Sequence, residues 1–182
     1  MRIENITKKY GSDLVLNGFS AEIRDGITLI TGNSGVGKTT LMRILAGLEK
    51  PDSGEIKEGG KVSFLFQEDR LFSHLTAKQN VELVCNDGEK AEDLLISLSL
   101  GDALEKYPDE MSGGMKRRVA IARALSFESD VYIFDEPLKG LDTELKKDVA
   151  RLMIEKTRGK PVIIVTHEKE DFSFVEYNEI KL

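Results

Sequence analysis

The chain has 182 residues, 40% hydrophobic and 32% charged, with one cysteine and no tryptophan, a length that suits a single domain with a proper core. Its 26 basic and 32 acidic residues leave a formal net charge of −6, which disfavours nucleic-acid binding through bulk charge. The lone Cys85 excludes an internal disulfide and a multi-cysteine metal cluster and reads as a buried small hydrophobe. No apolar run approaches a membrane span and no signal-peptide core opens the chain, which points to the cytosol.

In chain order, residues 2–7 and 14–23 carry extended patterns, separated by the turn-like Tyr10-Gly11-Ser12-Asp13. Ile27 to Thr31 is almost continuously apolar, as in a strand buried on both faces. A glycine-rich loop follows. Leu41, Ile44, Leu45 and Leu48 then recur at i, i+3, i+4 and i+7, which predicts an amphipathic helix closed by Gly47 and Pro51-Asp52. Lys61 to Phe66 reads as a strand. Thr76 to Leu104 reads as two charged helices broken at Asn86-Asp87-Gly88, and a third helix runs from near Ser112 to about Phe127. Val131 to Phe134 is a short buried strand. Residues 143–156 form a helix with Leu145, Val149, Leu152 and Met153 on one face. The strand Val162 to Thr166, a short helix near 168–174 and a last strand at 176–182 complete the chain. Strands alternating with helices imply an α/β fold with a mainly parallel sheet, preceded by antiparallel N-terminal strands. The helical stretch 76–127 reads as a small subdomain inserted into a core made of about 1–75 and 128–182.

Two motifs carry chemistry. Gly32-Asn33-Ser34-Gly35-Val36-Gly37-Lys38-Thr39 matches G-x-x-x-x-G-K-[ST] at every fixed position, and Thr40 extends it. The glycines let successive N–H groups turn toward phosphate oxygens, and the helix that follows adds its positive end. Lys38 supplies a charge to the β- and γ-phosphates, and the Thr39 hydroxyl can ligate Mg²⁺. The apolar strand ending in Asp135-Glu136 supplies the other half. Asp135 falls at a carboxyl edge, in reach of a nucleotide-bound Mg²⁺, and Glu136 is placed to orient or deprotonate an attacking water. Between them, Ser112-Gly113-Gly114 reads as a capped helix start, itself an anion site, although an ordinary capped helix would look the same in isolation.

Taken together, Gly32 to Thr39, Gln67, Ser112-Gly113-Gly114, Asp135-Glu136, Asp142 and His167 resemble the ABC-type ATPases in order and spacing. The resemblance implies a P-loop NTPase core and head-to-tail dimers with two ATP molecules sandwiched between phosphate loops and the partner's Ser112, Gly113 and Gly114. It implies that Tyr10 stacks on adenine with Val15 lining the same pocket, and that Asn33, Ser34, Gly35, Val36, Gly37, Lys38, Thr39 and Thr40 hold the phosphates. Gln67 then corresponds to the glutamine that contacts Mg²⁺ and the attacking water and marks a hinge, and His167 to the switch histidine on the γ-phosphate. Glu136, His167, Lys38 and Gln67 are the implied catalytic set, Thr39, Gln67 and Asp135 the implied metal set, and Asp142 the loop aspartate that crosses the dimer interface.

Three departures stand out. Met115 replaces the signature's usual Gln, Lys139-Gly140 replaces a commoner small pair, and the helical segment and the tail after His167 are short. The short tail implies no C-terminal regulatory domain. The resemblance implies an ATPase subunit on the cytoplasmic face of a membrane, paired with a separate transmembrane permease and with a second copy or a related ATPase subunit. The segment 67–75, with Leu71, Phe72 and Leu75, looks like the stretch that couples to such a permease. The rival reading is a non-transport ABC ATPase acting on a soluble or nucleic-acid partner. The short stretch between Gln67 and Ser112 has no sustained heptads for the coiled coil of DNA-maintenance members.

Overall fold

A computed structural model describes residues 1–182 throughout. The strands are β1 (Arg2–Tyr10), β2 (Asp13–Glu22), β3 (Gly26–Thr31), β4 (Ser53–Lys57), β5 (Val62–Leu65), β6 (Val131–Asp135), β7 (Pro161–Val165) and β8 (Tyr177–Lys181). The helices are α1 (Lys38–Leu45), α2 (Ala77–Cys85), α3 (Gly88–Ser97), α4 (Gly113–Ser126) and α5 (Thr143–Lys156).

The central sheet has the order β5-β6-β7-β3-β8, and every pairing in it is parallel. β6 is buried along its whole length and β7 along all but its first residue. A parallel strand covered on both faces must be continuously apolar, which is why Val131-Tyr132-Ile133-Phe134 and Val162-Ile163-Ile164-Val165 carry no alternation. Hydrophobic residues of this sheet divide between two clusters. One joins Leu29, Leu65, Phe134 and Ile164 to α2, α3, α4 and α5, and the other joins Ile30, Ile133 and Ile163 to α1 and the N-terminal strands.

A second sheet, β2-β1-β4, is antiparallel. β4 is the strand that sequence reading misses. Four of its five residues are exposed, so it shows no apolar alternation, and Gly54 sits within it. Gly54 has φ +89, and a Cβ there would lie 2.4 Å from the Asn5 carbonyl oxygen. Only glycine lets β4 approach β1 so closely at the register shift between Glu4 and Thr7.

Further boundaries differ from the sequence reading. β1 runs to Tyr10, so Tyr10 ends a strand instead of opening a turn. The segment after Ser97 is a 3₁₀ turn at Gly101–Ala103 and not a continuation of α3, and Lys169–Phe172 is 3₁₀ as well. Cys85 is only half-buried, at the end of α2, where its thiol faces the Val81 and Asp87 carbonyls. The helix starts follow their caps. Thr76 and Gln79 form a reciprocal capping box on α2, Asp87 accepts from the Glu89 and Lys90 amides on α3, and Ser112 accepts from the Met115 amide on α4.

Candidate nucleotide-binding site

A polar cleft of about 610 Å³ opens at the carboxyl ends of β3, β6 and β7. Ligands of open α/β sheets bind at this edge, because the loops that leave the strands converge there beside helix N-termini. The loop after β3 enters α1 through Gly37 at φ +105, and no side chain caps the helix. A Cβ on Gly37 would lie 2.8 Å from Val15 Cγ1 and 3.1 Å from the Val15 carbonyl oxygen. The glycine thus serves two ends: a backbone angle that L side chains avoid, and close approach of β2 to the loop.

Lys38 is buried, and its Nζ donates to the carbonyls of Gly32 and Asn33 at 2.8 Å each. Two of its three donors brace the loop, which leaves one for a ligand oxygen. Ser34, Gly35, Gly37, Thr39, Thr40 and Val15 line the same cleft, whereas Asn33 and Val36 belong to the loop without lining it. Tyr10 is half-exposed beside the cleft. Its phenol donates to Glu49, its hydroxyl neighbours Thr40, and Lys8 Nζ lies 5.4 Å from its ring centre.

Across the cleft, Asp135 ends β6 and is 3% exposed. Burial pushes its carboxyl above the ordinary value and Glu136 adds repulsion, with Arg117 opposing. Glu136 has φ +48, a left-handed conformation that a non-glycine residue keeps only where its surroundings fix it, at a cost of about 1–3 kcal/mol. Its amide donates to the Val165 carbonyl at 2.9 Å. The result brings Glu136 Oε1 to 3.5 Å from Nε2 of His167, which follows β7. Gln67 lines the cleft from the end of β5.

The donor set fits a divalent cation of the Mg²⁺ type. Thr39, Gln67 and Asp135 offer only hard oxygen donors or an amide to one cleft, and the buried Asp135 charge lacks full compensation. No cluster of three or more His, Cys, Asp or Glu side chains exists to hold a metal alone.

Ser112, Gly113, Gly114 and Asp142 do not reach this cleft. Ser112 and Gly113 are exposed at the start of α4, and Asp142 is exposed at the start of α5, where its side chain makes no cap hydrogen bond. Met115 packs against the main apolar cluster, so the signature departure is accommodated as a core contact. Lys139 lines the cleft together with Thr166, Glu168 and Asp171, and Lys146 bridges the last two. Sequence reading missed Arg117, which is 3% exposed and bonded to both strand ends at the cleft. The signal was present. Arg117 falls on the stripe of Ala120, Ile121 and Ala124, a charge at a core-facing position.

A sequence profile of the family described as ABC transporter matches residues 16–139. The chain belongs to the ABC transporter family. It is 39% identical to the Fe(3+) ions import ATP-binding protein FbpC of Brucella melitensis, a match that covers 92% of this chain and 54% of the relative. The chain thus spans about half the length of that relative. It is 38% identical to the L-cystine import ATP-binding protein TcyN of Bacillus subtilis, covering 93% of this chain and 77% of the relative. Among solved structures it resembles the dimeric post-hydrolysis state of the ATP-binding cassette MJ0796 bound to ADP and Pi. The TM-score there is 0.85 at 27% identity, over 98% of this chain and 95% of the other. The ABC transporter fold, with its parallel core and antiparallel N-terminal sheet, is therefore the fold of this chain.

Proposed function

We propose that the chain is the ATP-binding and ATP-hydrolysing subunit of a membrane transporter, acting as a pair of cassettes that ATP closes and hydrolysis reopens. The observation that carries the reading is the convergence of the Lys38 loop, the buried Asp135 and the Glu136–His167 pair in one cleft. That set suits phosphoryl transfer, in which positioning and charge stabilisation supply most of the rate.

Lys38 and the α1 N-terminus hold the β- and γ-phosphates, with Tyr10 and Val15 against the base. Glu136 orients or deprotonates the attacking water from its fixed turn. His167, 3.5 Å away, donates a hydrogen bond to the γ-phosphate as charge develops there. Thr39, Gln67 and Asp135 would hold Mg²⁺, which neutralises phosphate charge when bound. Because Ser112, Gly113, Gly114 and Asp142 do not line this cleft, their proposed role is on the nucleotide of a second subunit. We assign 76–127 as the helical subdomain and Gln67 as its hinge to the core.

The permease would meet the exposed side chain of Phe72 together with Leu83 and Val84 of α2. Leu71, by contrast, packs on the core. Asn80 is fully buried and bonds the Phe72, Leu75 and Thr76 carbonyls, so the 72–76 loop presents Phe72 in a fixed pose. Beside it, an apolar groove of about 180 Å³ runs along the edge strand β5, lined by Phe64, Phe66, Val84 and Phe127. No helix is long and apolar enough to cross a membrane, so a membrane-spanning path for cargo requires another chain or segment. This reading puts the chain on the cytoplasmic face of the membrane.

The test is affinity purification of the tagged protein from detergent-solubilised native membranes, with partners identified by mass spectrometry. A stoichiometric polytopic membrane protein is expected. Recovery only with ribosomes, DNA or soluble proteins would overturn the transporter reading and leave the ATPase chemistry to a soluble partner.

A further inference from the structure

A buried guanidinium is tolerated only where its five N–H donors find acceptors. Those of Arg117 reach two strand ends at once. On the β5 side, Nη1 donates to the carbonyl of Phe66 at 2.7 Å, and to the carbonyl of Gln67 and Oδ1 of Asp69 at 3.3 Å each. On the β6 side, Nη2 donates to the carbonyls of Asp135 at 2.7 Å and Glu136 at 2.8 Å, and Nε to that of Pro137 at 2.9 Å. Five of these six acceptors are main-chain carbonyls, so the contact fixes backbone at both ends. The strained Glu136 turn is held from two sides, its amide by Val165 and its carbonyl by Arg117. Arg123, farther along α4, makes a simpler contact. It donates only to the carbonyls of Asp69 and Arg70, at 2.8 and 2.9 Å.

We propose that Arg117 is a positioning residue that ties the start of α4 to the Glu136 turn of the core and to the Gln67 hinge segment between them. The inference rests on the reading of the cleft as an ATP-hydrolysing site. Arg117 stands about one helical turn from Gly113, the exposed helix start assigned to the second subunit's nucleotide. A nucleotide that engages Ser112–Gly114 therefore acts on the same stretch of helix that sets Glu136 and Gln67. This is a physical connection between the two sites of a dimer, made through main-chain hydrogen bonds instead of through the lining of the cleft. Lysine cannot substitute for arginine here, because a single ammonium cannot span both strand ends.

The experiment compares wild type with Arg117→Lys and with Arg123→Lys as the one-sided control. Three quantities are read: ATP affinity, turnover, and amide hydrogen exchange over residues 67–70 and 136–139. For Arg117→Lys the expected result is ATP affinity within about threefold of wild type, turnover at least about tenfold lower, and faster exchange in both segments. Arg123→Lys speeds exchange only in the first segment. Millimolar guanidinium added to Arg117→Ala is expected to restore part of the turnover, whereas equal ammonium does not. The proposal is overturned if Arg117→Lys turns over ATP as wild type does with unchanged exchange. It is equally overturned if affinity, unfolding midpoint and exchange throughout the chain all deteriorate together, since that marks a packing residue. The exchange readout needs no turnover, so a wild-type protein that binds ATP without hydrolysing it counts against the proposed function and not against the Arg117 contact.

Discussion

Replacing Gly37 by alanine tests whether the phosphate loop owes its shape to one backbone angle. At φ +105 an L residue is strained by about 1–3 kcal/mol. The added Cβ also meets Val15 Cγ1 at 2.8 Å, the Val15 carbonyl oxygen at 3.1 Å and Leu16 Cδ2 at 3.2 Å. Leu16 is buried in the second apolar cluster, so relief requires β2 to move, and overpacking of this kind costs about 1–3 kcal/mol. Together the two terms give about 4 kcal/mol, which has two places to appear. If the loop keeps its shape, urea unfolding followed by circular dichroism shows a loss of that size. If the loop relaxes instead, stability is spared and ATP affinity falls by about three orders of magnitude. Measuring both on one preparation makes the sum the predicted quantity. A variant within about 0.5 kcal/mol of wild type in stability and in binding free energy would refute the reasoning.

Gly113 is the counterpart. An alanine Cβ there meets nothing within 4 Å, so Gly113→Ala leaves the unfolding midpoint and ATP binding by a single chain unchanged while turnover falls at least about tenfold; weaker ATP binding by the isolated chain would contradict the assignment to a second subunit. Tyr10→Ala is expected to raise the Kd for ATP about tenfold, the scale of one base-stacking contact, as read by calorimetry, and an unchanged Kd would remove Tyr10 from the site. Glu49 is held below its ordinary value of 4.5 mainly by the Tyr10 hydrogen bond, with Lys8 assisting. A depressed carboxyl contributes stability above pH 4.5 that is lost as pH falls through its lower folded value. Urea midpoints measured across that acid range should therefore slope more steeply for wild type than for Glu49→Gln, and equal slopes would deny the Tyr10–Glu49 bond its role.

The fold was legible where the physics is local. A strand buried on both faces must be apolar throughout, so β3, β6 and β7 announce themselves, and the capped start at Ser112 fixes the origin of α4. β4 was invisible because its partner is distant in sequence and four of its five residues face solvent. Cys85 misled in the other direction, since its burial depends on where α2 ends and not on its own apolarity. In the site, the loop from Gly32 to Thr39 and the Asp135-Glu136 strand end were readable from residue chemistry alone. The roles of Gln67, His167 and Asp142 came only through family resemblance, because a lone polar residue after a strand carries no local signature. Arg117 lay hidden for a different reason: its acceptors are carbonyls, which every residue type has, so its partners leave no trace in composition.

The central claim is that two copies of this chain close on two ATP molecules. Sedimentation velocity of Glu136→Gln, with and without ATP and Mg²⁺, tests it most directly, because slowing hydrolysis lets the closed form accumulate. The account predicts a monomer in buffer or with ADP, and a dimer when ATP and Mg²⁺ are both present. A variant that binds ATP yet sediments as a monomer at every concentration would contradict it.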